Sequence, residues 1–168
     1  MIEVKQALLK RIYDQGKWLM GWEEWECYVR KAYPVLVTTA KKEGEYIKYG
    51  TLGQMIGLYS PEYFAKKIGE IAGGCSLYEW QEGRPLISAI VVHGEEIWEE
   101  ERIMENRLDL GSGRPGLGFW GLPGTGRLSK NHWEDKGKAP PEYIQEQRII
   151  FWDQEVGKVR NYWKKAEP

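Results

Sequence analysis

Phenylalanine, histidine and cysteine are all scarce in this chain of 168 residues, which holds three, two and two of them. Two cysteines, Cys27 and Cys75, are too few for a disulfide framework or a four-cysteine zinc site. The two histidines, His93 and His132, give no ligand spacing of the His-Glu-x-x-His kind, so neither a metal nor another cofactor is expected. Long apolar runs are missing as well. None approaches the ~20 residues that span a bilayer, and the amino end, MIEVKQALLKRIYDQG, carries charge in every turn, unlike a secretory leader. The cytoplasm is the expected location. Strong net charge is also absent: the formal value is −1 and the pI is near 6.2. This counts against a protein that binds nucleic acid by bulk charge and leaves only local clustering of Lys and Arg.

What the chain does have is large rings, nine tryptophans and ten tyrosines. They read first as a core of large side chains with their polar edges near the surface, and second as a platform for bases or peptides. Charge is also unevenly spread. From Glu95 to Asp109, seven acids face Arg102 and Arg107, a net of −5. From Gly111 to Lys138, Arg114, Arg127, Lys130, Lys136 and Lys138 face Glu134 and Asp135, a net of +3. Two faces of opposite potential are therefore expected.

Along the chain, Val4, Leu8, Leu9 and Ile12 fall on one helical face, and Gly16 interrupts. A second amphipathic piece carries Trp22, Trp25, Cys27 and Val29 and is expected to close at Pro34. Val35 to Thr39 is read as either strand or helix end. After an extended Tyr46–Lys48, a compact helix is predicted with Leu52, Met55 and Ile56 inward and Gly57 as its C-terminal cap. Ser60-Pro61-Glu62 has the composition of a helix start, and that helix continues towards Tyr78 with Gly73-Gly74 as a weak point. The two form a helix-turn-helix candidate. Pro85 to His93 reads as the clearest strand. The acidic stretch reads as a helix, and Gly111–Gly121 as a turn leading into a second strand. After a polar loop, a carboxy-terminal helix carries Ile149, Trp152, Val156, Val159 and Trp163.

The expected fold class is therefore α+β. A single domain is predicted: a helical amino-terminal part (1–40), a winged-helix-like core with a two-stranded wing (46–122) and a terminal helix (140–165). Tyr49-Gly-Thr-Leu-Gly-Gln-Met-Ile-Gly resembles the Tyr-Gly-x-Leu-Ala-x-x-Ile-Gly segment of the DNA-binding domain of O6-alkylguanine-DNA alkyltransferases and alkyltransferase-like proteins. Lys66-Lys-Ile-Gly is similar to that family's Arg-Ala-Val-Gly. Pro85 and Val91-Val92 resemble the ends of its Pro-Cys-His-Arg-Val-Val, and Gly116-Leu-Gly-Phe its Leu-Gly-Gly-Phe. The resemblance covers Tyr49 to Phe119 and implies a winged helix that binds DNA in the minor groove. Leu86 follows Pro85 where the family's alkyl-accepting cysteine stands, so alkyl transfer is not implied. Lys66 replaces the arginine that props open the base stack, and stacks less well.

Other chemistry is weaker. Cys75 and His93 are the nearest thiol and imidazole along this stretch, with no orienting signature around them. Glu134-Asp135-Lys136 lies in a predicted loop, and Gly121–Lys130 lacks the Gly-Lys-Ser/Thr ending of a phosphate loop. The expected function is a non-catalytic binder of double-stranded DNA. Tyr49, Tyr63, Lys66 and Lys67 lie on or beside its recognition helix, Arg114 at the wing, and Arg127, Lys130 and Lys138 in the following loop. Two alternatives stay open. One is a protein-interaction module whose acidic and aromatic surface serves a phage–host conflict or mimics nucleic acid. The other is a small metal-dependent nuclease or other hydrolase.

Overall fold

A computed structural model of the chain describes residues 3–59, 61–94, 113–125, 128 and 142–166. Its longest amino-terminal element is α2 (Trp22–Lys41), which starts after Gly21 with Glu23 and Glu24 in the first turn, where acids complement the helix dipole. Helix α1 (Gln6–Gln15) precedes it and buries Leu8, Leu9 and Ile12, and Gly16 closes it as expected. Pro34 does not end α2, and Val35–Thr39 belongs to the helix. An interior proline costs a helix about 3 kcal/mol; here Tyr33, Leu36, Val37 and Ala40 around it are all buried, and their burial outweighs that cost.

Strand β1 (Ile47–Lys48) leads into α3 (Tyr49–Ile56). Gly57 caps α3 in the left-handed region at φ 81°, with Leu58 N–H donating to Gly53 C=O at 2.9 Å and Gly57 N–H to Gln54 C=O at 3.3 Å. This is the double hydrogen bond of a Schellman motif. Leu52 and Ile56 point inward as expected, but Met55 is 61% exposed. Helix α4 (Phe64–Gln81) begins later than Ser60-Pro61-Glu62 promises: Pro61 and Glu62 precede it, and Tyr63 is its N-cap at φ 56°, ψ 25°. The Phe64 ring seats against Gly53 of α3, where a Cβ would lie 2.6 Å away, and this packing sets where α4 starts.

The expected strand from Pro85 to His93 is mostly a 3-10 helix, η1 (Ile87–Ile90), followed by the two-residue strand β2 (Val91–Val92). A continuous apolar run does not by itself distinguish strand from buried helix. This one passes through the core with Leu86, Ile87, Ala89, Ile90 and Val91 at most 1% exposed. Ahead of β2, side chains rather than a neighbouring strand take several of its backbone groups. Glu155 Oε2 accepts from Leu86 N–H at 2.8 Å, Ser76 Oγ accepts from Ser88 N–H at 2.8 Å, and Trp152 Nε1–H donates to Ala89 C=O at 2.7 Å. Buried backbone polar groups need such partners.

The two-stranded wing is also corrected among the described residues. β1 and β2 pair in parallel, Ile47 with Val91 and Lys48 with Val92. The second strand expected before Gly121 is instead a 3-10 helix, η2 (Leu117–Gly121). Two backbone hydrogen bonds stand where the wing was predicted: His93 N–H donates to Arg114 C=O at 2.9 Å, and Gly113 N–H to His93 C=O at 3.1 Å. The helix expected in the acidic stretch lies outside the described residues, as does most of the loop after Thr125. Helix α5 (Glu142–Lys165) closes the molecule, burying Trp152, Val156, Val159 and Trp163. The large rings do serve the core: Trp25, Trp120, Trp152 and Trp163 are each at most 3% exposed.

A buried polar triad ties α2 to α4. Tyr33 donates its phenol hydrogen bond to Glu79 Oε1, and Arg84 reaches Glu79 at 2.8 Å and Tyr33 Oη at 3.2 Å. Burial lifts the Glu79 carboxyl above its usual range, against the hydrogen bonds from Arg84 and Tyr33 that pull it down. Burial, reinforced by Glu79, pushes the Tyr33 phenol up.

Two outcomes follow from this packing. A Cβ at Gly74 would lie 2.6 Å from Trp25 Cζ2 and 3.1 Å from Val29 Cγ2, both fully buried. Gly74→Ala should lose about 1–3 kcal/mol in urea unfolding despite alanine's better helix propensity; an unchanged midpoint would show that the seam yields. Arg84→Met strands a buried carboxyl and should cost about 3–5 kcal/mol near neutral pH. In that variant the folded Glu79 value rises further. A carboxyl with a raised folded value adds stability below its unfolded value and loses it as pH climbs, so the variant's deficit should shrink towards pH ~4. A pH-independent deficit in paired unfolding curves would contradict the role given to Glu79.

Candidate functional site

The parallel β1–β2 pair places the start of α3 beside His93, and the site grows from that junction. Lys48 ends β1, and Tyr49 follows directly as the first residue of α3. The Tyr49 hydroxyl accepts from Gly116 N–H at 2.9 Å, and its ring centroid lies 5.2 Å from that of His93. Gly116 is needed here, since a Cβ would meet His93 Nε2 at 3.2 Å and Tyr49 Oη at 3.3 Å. Arg114, held by the backbone hydrogen bond from His93, lays its guanidinium 4.8 Å from the centroid of Trp152. Tyr49, His93, Arg114 and Gly116 thus form one connected cluster, of which the sequence singled out Tyr49 and Arg114 for DNA binding.

The amino-terminal half of α4 forms the other side. Tyr63 is 62% exposed in the left-handed region, a conformation that costs a non-glycine residue on the order of 1–3 kcal/mol. Lys66 is exposed and Lys67 half-buried, with Lys67 N–H bonded to Tyr63 C=O at 2.9 Å. Between α4, α3 and the η1 and η2 segments runs a groove of about 870 Å³. Its walls are largely apolar, with Phe64, Ile68, Leu77, Phe119 and Leu122 among them, and with Gly69, Gly73, Gly118 and Gly121 exposing backbone. Lys48, Lys66, Glu70, Ser88 and His93 are among its polar residues.

The structure therefore brings Tyr49 and Lys66 to one groove, with Tyr63 and Lys67 on the same stretch of α4. It sets Arg114 on Trp152. Arg127, Lys130 and Lys138 lie outside the described residues, as do the acidic run and Glu134-Asp135-Lys136. Sequence reasoning missed Lys48, Ser88 and the groove glycines as site residues. Only the parallel pairing of two-residue strands assembles them, and no local pattern announces that pairing. Cys75 is a core residue: it is 0% exposed, its thiol is 3.8 Å from Val29 C=O, and burial beside Glu79 pushes that thiol up, away from the reactive thiolate. His93 lines the groove instead, so no Cys75–His93 nucleophile is built. The glycine-rich turn after Gly121 closes on itself, with Thr125 Oγ1 bonded to Trp120 C=O at 2.9 Å and Leu122 C=O at 2.8 Å.

Comparison with known proteins finds no matching family model, no matching curated protein and no matching solved structure. The fold itself defines a mostly helical α+β protein with a small two-stranded parallel sheet. No helix among the described residues is long and apolar enough to cross a membrane.

Proposed function

We propose that this chain is a non-catalytic protein that binds double-stranded DNA through the α3–α4 face, mostly by contacts to phosphates. The observation that carries this reading is the arrangement of α4. Its second half is embedded in the core, while its first half stands at the surface with Tyr63 and Lys66 exposed, backed by α3 through the Gly53–Phe64 contact. A short helix, a capped turn and a second helix with an exposed cationic start is the order of a helix-turn-helix. Lys48 lines the same groove and adds positive charge there, and Lys67 follows Lys66 on α4. Arg114 keeps its in-plane donors available while stacked on Trp152, as guanidinium groups do.

The likeness to the alkyltransferases supports the same reading. Leu86, which follows Pro85, is 1% exposed in the core and carries no thiol, so the reading stays one of binding. A protein-interaction surface is the second reading, favoured by the exposed Met55, Tyr59 and Tyr63 around the α3–α4 turn, which are 61%, 77% and 62% accessible.

Fluorescence anisotropy with a mixed-sequence duplex, from low to physiological salt, tests the proposal. Saturable binding that weakens linearly in log salt is expected, and Lys66→Glu with Lys67→Glu should lower low-salt affinity by at least about tenfold and reduce the slope by roughly 2. Unchanged affinity in a folded double variant, or no duplex binding at low salt, would overturn it. A complex with a protein that survives high salt and is lost on truncating Met55 and Tyr59 would favour the second reading.

A further inference from the structure

The groove has features that phosphate contacts do not use, and they begin with its glycines. Ala65, Gly69 and Gly73 recur every four residues along α4, on one helical face. A glycine inside a helix costs about 1 kcal/mol relative to alanine. Some glycines of this chain have a packing reason, as Gly74 has in Trp25. Gly69 has none among the described residues: a Cβ there would meet nothing within 4 Å of them, and at Gly73 it would meet just Leu122 Cδ2, at 3.9 Å. Neither adopts a positive φ. Gly118 and Gly121, on the η2 side, likewise have open space where a Cβ would stand. Backbone is bare on two walls of the same cavity, which leaves room for a flat group lying against it.

The polar groups point to what that group carries. Ser88 is 4% exposed, and its Oγ lies 2.6 Å from Ser76 Oγ. Ser76 Oγ also accepts from Ser88 N–H. The pair has two hydroxyl protons and spends one between its own oxygens, so one buried donor is left over at the groove floor. An unspent buried donor costs about 1–3 kcal/mol unless something accepts from it. Glu70 offers the complement: Leu19 N–H bonds to its Oε1, while its Oε2 is buried without a partner among the described residues. Lys48 and Lys66, both exposed, give the rim one more positive charge than Glu70 cancels. The volume of about 870 Å³ lies within the range of small-molecule sites.

We propose that the groove is a binding site for a small aromatic anion that also carries an N–H donor. Its ring lies between the glycine-lined walls, and an acceptor atom takes the proton left over from the Ser76–Ser88 pair. Its N–H faces Glu70, and its negative group sits by Lys48 and Lys66. The site is occupied by a free small molecule and does not depend on DNA.

The probe is 8-anilinonaphthalene-1-sulfonate, an aromatic anion with one N–H whose fluorescence rises in apolar sites. Titration into the folded full chain without DNA should give saturable one-to-one binding. Gly69→Leu should remain folded, with an unfolding midpoint no lower than the parent, because its Cβ enters open space. It should bind the probe at least about tenfold more weakly. Ser88→Ala keeps its own N–H on Ser76 Oγ and should also weaken the probe, and Lys66→Gln should reduce both affinity and salt dependence. Indole-3-carboxylate should displace the probe better than the neutral indole-3-carboxamide. Equal binding by the folded parent and Gly69→Leu would overturn the site. Equal displacement by acid and amide would overturn the anionic character of its ligand.

Discussion

The segment Leu86–Val92 crosses the interior with almost no strand to pair with, and most of the architecture answers the problem of its buried backbone. Leaving those groups unpaired would cost about 1–3 kcal/mol each. Glu155 and Trp152 from α5 and Ser76 from α4 take Leu86 N–H, Ala89 C=O and Ser88 N–H in turn. Two helices, α4 and α5, converge there, and the convergence sets where β2 emerges. β2 then takes β1 in parallel, β1 starts α3, and the groove opens between them. The site is a downstream consequence of how one buried stretch is satisfied.

Helix α4 connects that interior to the surface. Its carboxy-terminal half carries Ser76, Tyr78 and Glu79 into the core, and Arg84 just beyond pairs with Glu79 and donates to Tyr33. Its amino-terminal half stands clear, with small residues facing the groove and lysines at its edge. Rigidity at one end and open surface at the other suit a helix that presents side chains to a partner, because the anchored half fixes the direction of the exposed half. The strained Tyr63 at its start is held by the turn that packs Phe64 on Gly53.

Much of the helical content was legible in the chain itself. The apolar spacing of Leu8, Leu9 and Ile12, the cap at Gly57 and the periodicity of α5 are local signals, and each emerges where the pattern puts it. What failed was decided by contacts distant in sequence. Pro34 looks like a stop, yet burial around it carries α2 onward. Ser60-Pro61-Glu62 has the composition of a helix start, but the Phe64–Gly53 contact moves the start three residues on. Leu86–Val92 reads as a strand because a buried 3-10 segment has the same apolar run, and only Glu155, Trp152 and Ser76 decide between them. The lysines of α4 could be chosen as surface cations from sequence. Lys48, Ser88 and the open glycines could not, since their meaning comes from a two-residue parallel pairing that brings residues 47 and 91 together.

The central claim is that the α3–α4 face is where duplex DNA sits. Amide hydrogen–deuterium exchange of the full chain, with and without a short mixed-sequence duplex at low salt, tests this most directly. The account predicts slowed exchange concentrated at Lys48–Thr51, Tyr63–Gly69 and the His93–Arg114 hydrogen bond, with α1 and the buried half of α4 unchanged. Duplex binding that protects other surfaces and leaves these segments exchanging as before would contradict it.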